Sequence, residues 1–185
     1  MTKPFQFGFI IGRFQPVHRG HEKLIDAALA IAERVLVVIG SAQESGTARN
    51  PFAANEREQW LRRIYGDRIH VLALPDLTNE NDHSRSWGDY LLHAVDSYGA
   101  SQRWPALDLI IEGEENGRGS WFGEERALRL GRLTFPRQEG ALSATWLRTM
   151  IREGREESWA RKVHPVLIES YRELQDRLLA LRDLP

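Results

Sequence analysis

The first apolar run, Phe5 to Ile11, is short and gives way to Gly12 and Pro16, which reads as a buried strand leading into a loop. From His18 to Glu33 the period changes, and Leu24, Ile25, Ala28, Leu29 and Ala32 fall on one helical face. Arg34 to Gly40 carries Val35, Leu36, Val37, Val38 and Ile39 without alternation, the pattern of a strand covered on both faces. The alternation of strand and helix then continues. A loop from Ser41 to Pro51 leads to a helix near Ala53–Tyr65 and a third strand at Ile69–Leu74. Past the polar stretch Asp76–Arg85 a helix runs from about Ser86 to Tyr98. Leu107–Glu112 is a fourth strand ending in a glycine-rich loop; a helix near Trp121–Leu130, a short strand Leu133–Phe135 and a helix Ser143–Arg152 follow.

Strands separated by helices predict an α/β fold: a doubly wound, Rossmann-like parallel sheet with right-handed crossovers and helices on both faces. Such sheets bind ligands beyond the carboxyl ends of their strands, so the loops after Ile11, Ile39, Leu74 and Ile111 are expected on one rim. From Pro165, suited to a first helical turn, Leu167, Tyr171, Leu174, Leu178 and Leu181 recur at helical spacing. The tail thus reads as a C-terminal helical extension, packed on its own domain or, alternatively, on a second copy in a homo-oligomer. The expected organisation is one domain over residues 1–185, with a core of about 5–153 and an extension of about 155–185.

Composition narrows the function classes. Twenty-five basic and 26 acidic residues leave a net charge of −1, which argues against a broad footprint on duplex nucleic acid but leaves room for a small phosphate site. No cysteine is present, so disulfides and thiolate metal sites are excluded. The opening residues lack the apolar run of a signal peptide, and Phe9-Ile10-Ile11 is too short to span a membrane, so the expectation is a cytoplasmic protein with no membrane partner.

The chemistry concentrates in Gly12-Arg13-Phe14-Gln15-Pro16-Val17-His18-Arg19-Gly20-His21, at a strand-to-helix junction where free backbone N–H groups and the helix dipole favour an anion. Gly12 allows close backbone approach, and Gly20 lets a phosphate near the first helical turn. His18 and His21, three apart, share one face of that turn and can donate hydrogen bonds to phosphate oxygens, better when protonated. No protein metal site is expected of this pair. A second signal is Ser143-Ala144-Thr145-Trp146-Leu147-Arg148. Ser143 suits an N-cap, Ala144 and Thr145 leave backbone donors open, and Arg148 lies about one turn in. Two helix N-termini with His and Arg would make a triphosphate cradle. No Gly-x-x-x-x-Gly-Lys-Ser/Thr loop is present, and Gly117-Arg118-Gly119 lacks the third glycine of a dinucleotide fingerprint.

Taken together, the decapeptide with His18-x-x-His21 and Ser143-Ala144-Thr145-x-x-Arg148 resembles the HxGH nucleotidyltransferase superfamily. Ile39-Gly40-Ser41-Ala42-Gln43, Arg49-Asn50-Pro51-Phe52 and Glu56-Arg57 resemble, more narrowly, the archaeal-type nicotinamide-mononucleotide adenylyltransferases. The resemblance runs from about Phe7 to Arg152. It implies transfer of AMP from ATP to NMN, or to nicotinate mononucleotide, with Mg²⁺ accompanying ATP. It further implies that His18 and His21 contact the ATP phosphates, His21 supporting charge at the reacting phosphorus. Arg13, Arg49 and Arg148 would neutralise phosphates. Gly12, Phe14, Gly20, Ser143, Ala144 and Thr145 would line the nucleotide site. Trp87 would stack on the pyridine ring, with Ser41 and Gln43 on the mononucleotide side. Two positions depart from the pattern. Ser84 stands where the family usually has an Asn that reads the carboxamide, with Asn79 and Asn81 further upstream, and Ala144 replaces a frequent Gly. The first departure leaves amide and carboxylate rings as alternatives. The rival functions are the same chemistry on another phosphate acceptor, and a non-catalytic sensor of ATP or NAD.

Overall fold

The computed structural model describes residues 2–79, 81–82, 84–113, 121–123, 129–136 and 142–181. Five strands, β1 Phe5–Gly12, β2 Ala32–Ile39, β3 His70–Ala73, β4 Leu109–Gly113 and β5 Gly131–Phe135, pair in parallel in the order β3-β2-β1-β4-β5. Gly12 sits opposite Ile39, Ile39 opposite Ala73 and Ile10 opposite Ile111, so the carboxyl ends of four strands share one rim, as the pattern predicted. The order reverses between β1 and β4. A crevice is expected at that switch point, and the loop after β1 opens onto it.

Side chains alternate across the sheet. On one face Phe7, Phe9, Leu36, Val38 and Ile110 pack with Leu91, Leu92 and Val95 of helix α3 (Arg85–Ser101). On the other, Ile10, Val35, Val37, Ile39 and Ile111 pack with α1 (Arg19–Ile31), α2 (Ala54–Tyr65) and α4 (Ala144–Arg152). That face also receives the tail: α5 (Glu156–Ala160) brings Trp159, α6 (Pro165–Ile168) brings Leu167, and α7 (Tyr171–Ala180) brings Tyr171, Leu174 and Leu178. Helices cover both faces, but unequally.

Three local readings need correction. Helix α1 stops at Ile31, because Ala32 already pairs with Phe5 and Arg34 with Phe7, and strand pairing takes the residues that periodicity assigned to a last turn. The tail is not one helix from Pro165: the chain turns at Glu169–Ser170, with no glycine or proline to announce it. Of the helix expected near Trp121–Leu130, Trp121 to Gly123 form a bend instead, and residues 124–128 lie outside the described residues, as does Gly117-Arg118-Gly119. The bend lies hard against α3, where a Cβ on Gly88 would come within 1.7 Å of the Trp121 carbonyl oxygen. Among the described residues no helix is long and apolar enough to cross a membrane.

Candidate active site

The rim is built first at the end of β1. After Gly12 the chain passes through Arg13, Phe14 at φ 53°, and a cis Gln15–Pro16 bond. The Phe14 ring folds back so closely that a Cβ on Gly12 would lie 3.1 Å from it. His18 is the extended N-cap of α1, and its Nδ1 accepts a hydrogen bond from the Gly20 amide at 3.1 Å. Gly20 is required here by its neighbour: a Cβ would sit 2.9 Å from His18 Cε1. The His18 and His21 rings stack at 3.8 Å, and Phe14 lies against His21 at 4.6 Å.

This geometry revises two expectations. The Arg19 amide donates to the Lys162 carbonyl at 2.9 Å and the Gly20 amide to His18, so the first two amides of α1 are engaged within the protein. An anion there meets side chains instead. Moreover, burial pushes the His18 imidazole down from 6.5 to about 4, outweighing its backbone hydrogen bond. With Nδ1 accepting, the single proton of the neutral ring resides on Nε2. His18 is a neutral donor at physiological pH, not the imidazolium that would have strengthened the contact.

The cations come from elsewhere in the chain. Arg148, buried, donates from Nη1 to the Gln15 carbonyl at 2.8 Å and from Nη2 to Thr145 Oγ1 at 3.2 Å; its Nε has no partner among the described residues. Burial, and then the charges of Arg13, Arg152 and Arg49, lower its pKa to about 10. Among the described residues the charges that act on it are those cations, which favours a polyanion there. Helix α4 adds an open terminus. Ser143 Oγ caps the Trp146 amide at 3.1 Å, and the amides of Ala144 and Thr145 keep no partner among the described residues.

The mononucleotide-side residues are placed differently. Ser41, at φ 48°, is buried and offers its carbonyl to Arg57. Gln43 exchanges two hydrogen bonds with Asp76, at 3.0 and 2.9 Å, which ties the loops after β2 and β3 together. Arg49 donates to Asn81 Oδ1. Trp87 is 4% exposed and lies in the α3-side core, 4.6 Å from the Trp121 ring. Ser84, at the offset of the family Asn, caps α3 by accepting from the Trp87 amide.

Gln15 and Arg57 carried no role in the sequence, yet they hold this rim. Gln15 exchanges two hydrogen bonds with the Phe52 backbone, at 2.9 and 3.0 Å. Arg57, 0% exposed, donates to the carbonyls of Arg13 and Gly40 at 2.9 Å, of Ser41 at 3.1 Å and of Ala53 at 3.3 Å. Its signal was present: Arg57 precedes Trp60 and Leu61 by three and four residues, a charged group on the buried face of α2.

The cytidylyltransferase-like family profile matches residues 9–116. A nicotinamide-nucleotide adenylyltransferase of Aeropyrum pernix is 32% identical, covering 95% of this chain and 96% of its own. One from Thermococcus onnurineus is 30% identical, over 91% of this chain and 83% of its own. Among solved structures, a bifunctional NMN adenylyltransferase/ADP ribose pyrophosphatase of Francisella tularensis, complexed with AMP and a manganese ion, superposes with TM-score 0.70 at 19% identity. The match covers 95% of this chain and 52% of that one, so this chain spans about half of the bifunctional protein.

Proposed function

The chain belongs to the cytidylyltransferase-like family, among its nicotinamide-nucleotide adenylyltransferases, and from that premise we propose that it transfers AMP from ATP to the phosphate of NMN, yielding NAD and pyrophosphate. The observation that carries this is one constellation: a neutral His18 stacked on His21 at the start of α1, and a buried Arg148, under the charges of Arg13, Arg152 and Arg49, tied to the Gln15 carbonyl of the same loop. An oxygen of the NMN phosphate attacks the α-phosphorus of ATP, that bond forms as the bond to the β-phosphoryl oxygen breaks, and pyrophosphate departs with the electron pair. A mononucleotide phosphate is already ionised at neutral pH, so no general base is needed. Rate comes from alignment and from charge stabilisation.

In this reading His18 donates from Nε2 and His21 meets the charge that develops at the α-phosphoryl group. Arg13 and Arg148 neutralise the triphosphate, and Arg49 the mononucleotide. Gly12, Phe14, Gly20, Ser143, Ala144 and Thr145 shape the nucleotide side, and Ser41, Gln43 and Trp87 the mononucleotide side. Mg²⁺ accompanying ATP would supply further charge neutralisation. The chain acts as one domain in the cytoplasm, since both substrates are polyanions that do not cross membranes unaided.

Nicotinate mononucleotide is a second acceptor worth testing, because Ser84 is engaged as a cap and supplies no carboxamide-reading Asn. The test is pyrophosphate release from ATP and Mg²⁺ with each mononucleotide in turn. Turnover with NMN supports the assignment, and the ratio of kcat/KM values reports the ring preference. A folded sample that binds ATP yet releases nothing with either sinks it.

A further inference from the structure

The tail does more than cover the sheet. Two ion pairs join α2 to the C-terminal helices. Arg63, late in α2, pairs with Glu169 at 2.8 Å, both well exposed at 48% and 72% of their side chains. At the other end of α2, Arg177 of α7 pairs with Glu56, at 34% and 26%. The Arg177 guanidinium also lies over the Phe52 ring, 5.8 Å from its centre.

The second pair reaches the site and the first does not. Glu56 Oε2 accepts from the Ala53 amide at 2.8 Å, fixing the turn into α2. Phe52, beneath Arg177, is the residue whose backbone Gln15 grips from both sides. The Gln15 carbonyl in turn accepts from Arg148. The Ala53 carbonyl accepts from Arg57, which also holds the Arg13 carbonyl. Every link is a hydrogen bond, ion pair or ring contact, across sequence separations as large as 121 and 133 residues.

We propose that Arg177 is a positioning residue for the transfer reaction, acting through Glu56 and Phe52 on Gln15 and thereby on the placement of Arg148 and Arg13. The proposal rests on the adenylyltransferase reading. Removing this strut leaves the turn at Phe52–Ala53 free to shift, and small displacements of charge-stabilising groups carry large rate costs. Arg63–Glu169 is the internal control, since it docks the tail on the same helix and is too exposed to contribute much.

Three variants of the full chain, Arg177→Ala, Arg177→Lys and Glu169→Gln, are compared in thermal melts and steady-state kinetics. Arg177→Ala is expected to lower kcat/KM for ATP about fivefold or more, with Arg177→Lys recovering most of it because the pair to Glu56 survives, and with Glu169→Gln within about twofold of wild type. The melting temperature should stay near wild type in Glu169→Gln and fall modestly in Arg177→Ala, so the recovery of kcat/KM in Arg177→Lys, and not the melt, separates positioning from mere stability. Equal kinetics in those two variants, or full activity in Arg177→Ala, would overturn the proposal. If the wild type itself fails to turn over NMN, the functional reading fails, and calorimetric ATP affinity then judges the strut: a loss confined to Arg177→Ala supports it, and equal affinities overturn it.

Discussion

Helices α1 and α4 both begin at the carboxyl rim, and both looked in the sequence like the same device, a helix terminus offering amides to a phosphate. They are not the same. At α1 the terminus is closed at its first two amides: Arg19 donates to Lys162, Gly20 donates to His18, and the buried His18 ring stacks on His21. At α4 the terminus is open: Ser143 caps only the Trp146 amide, and the charge comes from Arg148 one turn in. On the proposed roles, α1 supplies imidazoles aimed by packing, while α4 supplies amides and a cation. A helix start therefore cannot be read as an anion site until its first amides have been followed to their partners.

The sharpest way to break this contrast is His21→Ala. If the closed terminus acts through its imidazoles in the transition state, kcat should fall on the order of 10²–10³-fold, while ATP affinity changes much less. Single-turnover kinetics with calorimetry separates the two. Equal losses in both would move His21 to a ground-state role and make the two termini alike.

Gly20→Ala comes next. The added Cβ would meet the His18 ring at 2.9 to 3.0 Å, so the imidazole must swing away from the amide that holds it. The expected cost is roughly tenfold or more in kcat, since His18 loses its aim while its chemistry is untouched. A fully active variant would show that the tight packing of His18 on Gly20 has no part in catalysis.

A smaller effect concerns pH. His18 has a folded pKa of about 4, below its unfolded value of 6.5, so between those values the unfolded chain binds the proton that the folded chain refuses. Stability is therefore complete above about 6.5 and is lost as pH falls towards 4, by on the order of 3 kcal/mol at the most. Urea unfolding at pH 7 and pH 5 should show the loss in wild type and a reduced slope in His18→Asn, which keeps an N-cap acceptor without a titrating ring. Activity should likewise show no acid limb near 6.5 from His18.

The same contrast explains what the sequence disclosed. The closed terminus lies within ten consecutive residues, Gly12 to His21, and the open one within six, Ser143 to Arg148, so both were legible as strings. The doubly wound parallel sheet and its shared rim were legible too, because unalternating apolar runs separated by helical stripes have few ways to pack. The frame was not. Gln15–Phe52, Arg57–Arg13 and Gln15–Arg148 span 37, 44 and 133 residues, and apart from the place of Arg57 on the apolar face of α2 nothing local names the partners. The charge of the His18 imidazole was not legible for the same reason, since burial is set by elements remote in the chain. Trp87 shows the limit from the other side: its position in the sequence suggested a ring partner, and its neighbour in the structure is Trp121 in the core.

The smallest effect belongs to Ser143→Ala, and it tests the open terminus most directly. Loss of the Oγ that accepts from the Trp146 amide should cost about 1 kcal/mol of stability, the usual value of an N-cap. The amides of Ala144 and Thr145 do not depend on that hydroxyl, and Arg148 is held separately by Gln15 and Thr145. ATP affinity and kcat should therefore stay within about threefold of wild type, because the groups offered to the phosphates remain where they were. A loss approaching that of His21→Ala would mean that the Ser143 side chain itself meets the nucleotide. The α4 terminus would then work through a side chain, as α1 does, and the contrast between an open and a closed helix start would no longer hold.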